Sequence, residues 1–326
     1  MLTDIYQQPL YDLGDHLEEK YRGIFSPLYA DELLAQYLTP QFTTDSQWYI
    51  ENCEHSQFTG RLLQRCFDTA GFDASSTAIE RILDIGSGAG NSILPLLDQF
   101  PESVIVASDL SPQMLLALKA SLAQRQPHPR LHLLQLNAEK LDFQQASFDI
   151  VVGIAILHHL HDPSKTLAGA AQILKKGGLA IFSEPFENGN YLLCLAFRMI
   201  LRDGAATSLP ARVTQFMRAR IEYVALRSGL HKSETFLQNH DDKWLFTRQL
   251  LQNAARQNGF DECHIMPLAQ KPDVLTRKAR VLLEQHKFDV TALPVWAWDI
   301  IGEVESGMSH LLRHEMPVEA AIILKK

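Results

Sequence analysis

The chain has 326 residues, of which 46% are hydrophobic and 21% are charged, and its formal net charge is −8 at pH 7. This length and composition indicate a globular protein with one large α/β domain or two modest domains. The negative charge argues against a general nucleic-acid binder, which neutralises phosphates with Lys and Arg.

Residues 1–75 have the periodicity of helices and little strand character. Apolar side chains recur at helical spacing from Leu28 to Tyr37 and again from Trp48 to Cys66. We predict two or three helices here, ending near residue 71, which form an N-terminal helical cap. The aromatic residues of this segment, Tyr49 among them, either fill the core of the cap or form a lid over a bound ligand.

The most informative segment is RILDIGSGAGNS, residues 81–92. An apolar strand over 81–85 ends in Gly86, Gly88 and Gly90, and a helix follows. Glycines let a ligand approach the backbone of such a turn closely, with the helix amides beyond it. The spacing is not the G-x-G-x-x-G of dinucleotide sites, and Asp84 lies inside the strand end. The pattern favours a cofactor-binding turn over a plain structural turn.

Strands and helices alternate after this turn. Further strands are predicted at 104–108, 131–136, 148–154 and 179–183. One helix is opened by Ser111-Pro112, and another runs from Pro163 to Gly177-Gly178. Such alternation predicts a doubly wound, mostly parallel sheet whose ligand sites lie at the carboxyl ends of its strands.

Two insertions are predicted after the fifth strand. Residues 186–243 read as helical and carry six arginines between positions 198 and 227. These arginines form either a solvated helix face or a basic wall that suits an anionic substrate. The core then resumes with a helix over 247–258 and a strand over 262–267. A second insertion, 269–317, contains a predicted helix at 281–285 and precedes a last strand at 320–324.

Five segments occur in the order found in the class I S-adenosylmethionine (SAM) dependent methyltransferases: ILDIGSGAG, SDLSPQML, LNAEKLDF, FDIVVGIAILHHL and ILKKGGLAIFSEP. The chain resembles the branch of that family that acts on small molecules. The resemblance covers roughly residues 78–184, with closing pieces at 245–268 and 318–326. It implies a Rossmann-like α/β fold with a seven-stranded sheet, SAM as cofactor and S-adenosylhomocysteine as product.

The resemblance also implies site residues. It places Asp84, Gly86, Ser87, Gly88 and Gly90 around the methionine end of SAM, Asp109 at the ribose hydroxyls, Leu110 and Met114 beside adenine, Asn137 and Ala138 at the adenine edge, and Ile154 beside the methionine amine. Tyr49 is expected close to the cofactor. Asn137 stands where the family often has Asp.

The chemistry of the sulfonium methyl group sets what the protein must supply. The methyl group is already activated, so the protein must align the nucleophile and exclude water. A general base is needed only when the nucleophile carries a proton at neutral pH. His158, His159 and Glu184 are the candidates, although the histidines could equally pack the loop or cap a helix. No metal is required, and the three histidines at 158, 159 and 161 lack a recognisable zinc spacing.

The domain organisation that follows is a cap (1–75), a SAM-binding core (76–185), a helical insertion serving as lid or interface (186–243), and the end of the core with its insertion (244–326). We expect the first insertion (186–243) and the cap to cover the site. The helical insertions are also candidates for a homodimer interface. The four cysteines form no CxxC pair, the N-terminus lacks a signal peptide, and no apolar run could span a bilayer. A cytoplasmic protein without a membrane partner is therefore expected.

Four functions remain open at this stage. The leading one is a SAM-dependent methyltransferase acting on O, N or C of a small molecule, without a nucleic-acid partner. A methyltransferase acting on protein or nucleic acid is the second, and a non-catalytic SAM-binding protein is the third. A nicotinamide oxidoreductase is the fourth, and the glycine spacing opposes it.

Overall fold

A computed structural model describes residues 2–27, 56–73, 78–123, 125, 128–269 and 271–326. The chain divides into two compact units. The first comprises Met1–Ser183, Gln252–His264 and Ile322–Lys326, and the second comprises Glu184–Leu251 and Ile265–Ala321. Each unit is described by itself below.

The N-terminal part of the first unit begins with strand β1 (Tyr11–Asp12), the short helix α1 (Leu13–His16) and strand β2 (Ile24–Ser26). Asp12 caps α1, because its Oδ1 accepts the amide of Gly14 at 2.8 Å. Helix α2 (Ser56–Thr69) follows and buries Leu62, Leu63 and Cys66.

The core of the first unit alternates strands and helices as predicted. Its elements are β3 (Arg81–Ile85), α3 (Ile93–Gln99), β4 (Val104–Asp109), α4 (Pro112–Leu122), β5 (Leu131–Gln135), β6 (Phe148–Ile154), α5 (Pro163–Ile173) and β7 (Leu174–Pro185). Ser111 and Asp162 cap α4 and α5, each followed by Pro in the first turn.

The second unit is mostly helical. Its first helices are α6 (Glu187–Arg202), α7 (Ala211–Arg227) and α8 (Glu234–Asn239). Helix α9 (Arg248–Gln257) begins in this unit and continues into the first unit, and strand β8 (Glu262–Pro267) follows it. The remaining helices are α10 (Val274–Gln285), α11 (Val295–Ser306) and α12 (His310–Glu315). The closing strand is β9 (Glu319–Lys325). Phe197, Met217, Leu283 and Ile301 are among the buried side chains of one core cluster of this unit.

The described strands form a nine-stranded sheet in the order β1-β2-β5-β4-β3-β6-β7-β9-β8. The central pairs β5–β4, β4–β3, β3–β6 and β6–β7 are parallel, so the doubly wound α/β architecture is confirmed. The seven predicted strands are all present in this sheet. Two further short strands, β1 and β2, extend the edge beyond β5, with β2 parallel to β5 and β1 antiparallel to β2.

The boundary between α5 and β7 also differs from the prediction. The helix ends at Ile173, and Lys175, Lys176 and the two glycines after them lie in the strand. A register shift between Phe148 and Ile150 accommodates this long start of β7. The ion pair between Lys175 and Asp149, 2.9 Å long, holds the segment against the start of β6.

The second insertion contains more helix than its periodicity indicated. The helix predicted at 281–285 begins at Val274, and α11 and α12 were not predicted. Glu305 of α11 explains the earlier start, because its carboxylate bonds the Leu275 amide and the Thr276 hydroxyl in the first turn of α10. No helix within the described residues is long and apolar enough to cross a membrane.

Candidate cofactor site

The turn after β3 needs glycine at three positions. Gly86, Gly88 and Gly90 have φ of +69°, +52° and +108°, a region that L-residues adopt only with strain. A Cβ on Gly86 would lie 2.8 Å from Ile156 Cδ1, and one on Gly90 would lie 2.6 Å from Leu118 Cδ1. At two of the three positions a larger residue would therefore also force a neighbouring side chain to move.

Gly88 is less closely packed than the other two glycines. Among the described residues, the only atom within 4 Å of a Cβ built there is Met114 Cε, at 3.6 Å, an ordinary van der Waals distance. The Gly88 amide donates to Asp109 Oδ2 at 3.0 Å, and Asp109 Oδ1 accepts the Ser111 amide at 2.9 Å. One carboxylate thus ties the glycine turn to the end of β4.

Asp84 is a buried carboxylate with one unsatisfied oxygen. Ser92 Oγ donates to Oδ2 at 2.7 Å, whereas Oδ1 has no partner within the described part of the chain. Burial raises the pKa of Asp84 to about 7. The hydrogen bonds from Ser87 and Ser92 lower this pKa, whereas the negative charge of Asp109 raises it further. An N–H donor or a cation would satisfy Oδ1.

The Asp109 carboxylate carries a similar perturbation. Burial raises the pKa of Asp109 to about 6, opposed by hydrogen bonds from the amides of Ser111, Gly88 and Leu110. Asp109 is only partly buried, so its remaining lone pairs can accept hydroxyl donors from a ligand.

Two residues predicted beside adenine follow Asp109. Leu110 is 37% exposed, whereas Met114 is buried against Ala89 and Ala117. The structure therefore offers one exposed and one buried apolar side chain at the start of α4.

The end of β5 carries Asn137, Ala138 and a residue that the sequence analysis missed. Asn137 is exposed, and its Oδ1 accepts the Glu139 amide at 2.9 Å. Ala138 is buried, and its carbonyl accepts the Thr166 hydroxyl at 2.9 Å. Gln135 was missed: it is buried, its Nε2 donates to the Leu110 carbonyl at 3.1 Å, and its Oε1 has no partner in the described residues. The signal was its position two residues before Asn137, in register with Asp109.

The end of β6 contains a strained backbone position. Ala155, directly after Ile154, has φ of +57°, and its amide donates to the Ser183 carbonyl at 2.9 Å. A non-glycine residue in this conformation costs about 1–2 kcal/mol. Strain of this kind clusters at functional sites. Nothing in the local sequence indicated it.

The candidate bases lie in different parts of the chain. His158 is buried and His159 is partly exposed in a 3₁₀ turn over Leu157–His159, with ring centroids 4.0 Å apart. Glu139 fixes the chain that follows, because its Oε1 accepts the amides of His161 at 2.7 Å and Asp162 at 3.1 Å.

Glu184 is buried and belongs to the second unit. Tyr49 lies outside the described residues, so its position near the cofactor stays a prediction. The roles of His158, His159 and Glu184, and of the insertion at 186–243 as a lid, also stay predictions.

A family model described as a methyltransferase domain matches residues 83–182, which run from within β3 through the end of β6 and most of β7. The glycine turn, Asp109 and the histidine turn all fall inside this match. This core belongs to the class I SAM-dependent methyltransferase family.

Relatives of known name share the same core. Malonyl-[acyl-carrier protein] O-methyltransferase of Halalkalibacterium halodurans is 35% identical over 105 residues, which are 31% of this chain and 38% of that protein. Demethylmenaquinone methyltransferase of Deinococcus radiodurans is 27% identical over 186 residues, 49% of this chain and 76% of that one. The chain therefore matches less than half of the length of the first relative.

Among solved structures, phosphoethanolamine N-methyltransferase 2 of Haemonchus contortus, in complex with SAM, aligns over 76% of this chain and 48% of its own. Its TM-score is 0.44 at 16% identity. The family assignment does not rest on this alignment.

Proposed function

We propose that the protein transfers the methyl group of SAM to a small-molecule acceptor. The observation that supports the proposal is the glycine turn itself: Gly88 has a positive φ, its amide is held by Asp109, and among the described residues a Cβ built there would contact only Met114 Cε, at 3.6 Å. At the end of β3, Asp84 Oδ1 has no hydrogen-bond partner among the described residues, and it could accept a hydrogen bond from the cationic methionine amine of SAM.

The residues that would hold SAM follow from these features. Asp84, with Gly86, Ser87, Gly88 and Gly90, receives the methionine end, and Ile154 lies beside its amine. Asp109 accepts the ribose hydroxyls, Leu110 and Met114 flank adenine, and Asn137 and Ala138 meet its edge, with Gln135 Oε1 as a further acceptor. When bound, SAM supplies a sulfonium-activated methyl group.

The chain's own contribution is to position the groups and, where needed, to move a proton. A carbon or protonated heteroatom nucleophile must lose a proton during methyl transfer, and His158, His159 and Glu184 are the proposed acceptors of that proton. A nucleophile that is already unprotonated needs none of them. The buried side of the turn, with Ser87 and Ser92 bonded to Asp84, keeps the glycine backbone rigid for either chemistry.

The choice of a small molecule is supported by the demethylmenaquinone methyltransferase, whose name gives a small-molecule acceptor and which aligns over 186 residues. The net charge of −8 weighs against a nucleic-acid acceptor.

Ligand binding tests the cofactor. We expect mass spectrometry of small molecules released from the purified protein to find SAM or S-adenosylhomocysteine, and calorimetry to show binding of both. Binding of a nicotinamide dinucleotide instead, or of neither ligand, would contradict the proposal.

Turnover is tested with SAM labelled in its methyl group. The labelled SAM is incubated with the protein and a cell extract. We expect the labelled methyl group to appear in the small-molecule fraction, below about 1 kDa, and we expect no transfer by the Gly88→Val variant. Label in the protein or nucleic-acid fraction would select another acceptor class. Binding of SAM without any transfer would indicate a non-catalytic protein.

A further inference from the structure

Helix α7 of the second unit carries two arginines, seven residues apart, on its inner side. Arg227 is 2% exposed, although it carries a charge. Its Nη1 lies 3.2 Å from Asp242 Oδ2, and its Nη2 donates to the Trp244 carbonyl at 3.0 Å. Its Nε is buried and has no partner among the described residues.

Arg220 is held by a neutral group rather than by a carboxylate. Its Nη2 donates to Asn190 Oδ1 at 3.1 Å. Asn190 is buried, and its Nδ2 donates to the carbonyls of Phe186 at 2.8 Å and Val318 at 3.1 Å. These two bonds fix the amide so that its oxygen faces Arg220.

Arg220 has no direct counter-ion. In the part of the chain that the structure describes it forms no ion pair, and its Nε is buried without a partner. Burial, and then the charge of Arg227, lower the pKa of Arg220, while Asp242 acts in the opposite direction. Because a guanidinium keeps its proton in proteins, the charge stays and is poorly compensated. Such a charge is costly unless an anion pairs with it.

We propose that Arg220 binds a carboxylate or phosphate group of a small-molecule ligand. The guanidinium fork matches the paired oxygens of either group. Arg220 is only partly buried, so a ligand can reach it, whereas the charge of the buried Arg227 is already paired with Asp242. Asn190 holds the orientation of the fork before the anion arrives.

The test uses the Nε–H resonance of Arg220 in the full-length, nitrogen-15-labelled protein, assigned by its absence in Arg220→Gln. Inorganic phosphate and acetate are titrated separately at constant ionic strength, with chloride as the reference. We expect a saturable shift of this resonance with one or both anions, which also identifies the group. Arg218→Gln, an exposed arginine on the same helix, is the matched control.

The affinity of that anion should fall more than tenfold in Arg220→Gln and remain unchanged in Arg218→Gln, because charge-assisted hydrogen bonds are lost only in the first. If Arg220→Gln does not fold, Arg220→Lys replaces it: the charge remains, the Nε–H donor is lost, and the same direction of change is expected. Equal responses to phosphate, acetate and chloride, or equal affinities in the Arg218 and Arg220 variants, would overturn the proposal.

Discussion

Asp109 joins two backbone segments of the cofactor site through one side chain. It accepts the amides of Gly88 and Ser111, one on each carboxylate oxygen. The same side chain is proposed to receive the ribose hydroxyls. Its replacement therefore removes both a ligand contact and the bond that holds the turn.

We expect Asp109→Ala to weaken SAM binding by about tenfold to more than a hundredfold, since hydrogen bonds to a charged group contribute about 1.5–3 kcal/mol. Calorimetry measures the affinity, and Asp98→Ala, which removes an exposed carboxylate, is the control. Unchanged SAM affinity in a folded Asp109→Ala protein would contradict the assignment.

Substitutions at Gly88 and Gly177 distinguish backbone strain from steric blockage of the SAM site. Both have positive φ, and among the described residues a Cβ at either position would meet nothing closer than 3.6 Å. Gly88→Val and Gly177→Val should each destabilise the fold by at least about 1 kcal/mol. Only Gly88→Val should abolish SAM binding in calorimetry. Normal SAM binding by Gly88→Val would mean that the turn is structural.

The raised pKa of Asp84 predicts how the stability of the protein changes with pH. Its pKa of about 7 in the folded protein lies above the ordinary value of 3.8. The folded protein therefore keeps a proton that the unfolded chain releases, and stability falls as pH rises from about 4 to 7. The loss amounts to roughly 4 kcal/mol at most, since each pKa unit corresponds to about 1.4 kcal/mol.

Thermal unfolding between pH 5 and 8 measures this effect. Asp84→Asn should become more stable than the native protein as pH rises, whereas Asp98→Asn should show no such trend. SAM affinity should change in the opposite sense, increasing with pH as Asp84 ionises, because SAM carries positive charge. A native affinity that is flat across this range would separate Asp84 from the cofactor.

At the scale of elements, Asp149 connects the starts of three strands. Its Oδ2 accepts the amides of Glu80 and Arg81, both at 2.9 Å, next to and within β3. Its Oδ1 pairs with Lys175 of β7 at 2.9 Å, while Asp149 itself lies in β6. One carboxylate thus sets the register at the amino end of the sheet, opposite the end that carries the cofactor site.

We expect Asp149→Ala to lower the free energy of unfolding by about 1–3 kcal/mol, because the partly buried Arg81 amide and the exposed Glu80 amide both lose their acceptor. The matched control is Asp98→Ala, whose exposed ion pair with Arg125 should contribute less than about 1 kcal/mol. Urea denaturation measures both. Equal losses in the two variants would show that Asp149 acts only as a surface charge.

At the scale of the whole molecule, acidic residues outnumber basic ones, 38 to 30. A nucleic-acid binder needs enough Lys and Arg to neutralise several phosphates. We expect no binding of duplex DNA or RNA at about 150 mM salt in an electrophoretic shift assay. Salt-dependent binding, with a steep loss of affinity as salt increases, would reopen the nucleic-acid acceptor.

The sequence by itself determined the central strands, their parallel order and the glycine turn. Strands β3, β6 and β8 match their predicted ends residue for residue. These features are local: a buried apolar run, a turn that needs glycine, and Ser-Pro or Asp-Pro at a helix start are each encoded within a few residues.

Only the tertiary structure decided the features that depend on distant partners. Strands β1 and β2 are two and three residues long, too short for any periodicity; β2 forms on the edge of β5, and β1 forms on β2. Within the described residues, the Gln135 oxygen without a hydrogen-bond partner and the Arg220 guanidinium without a direct ion pair are both surrounded by residues from separate elements. Local sequence patterns identify candidate residues. Their burial and hydrogen-bond partners, which determine their chemistry, depend on the folded structure.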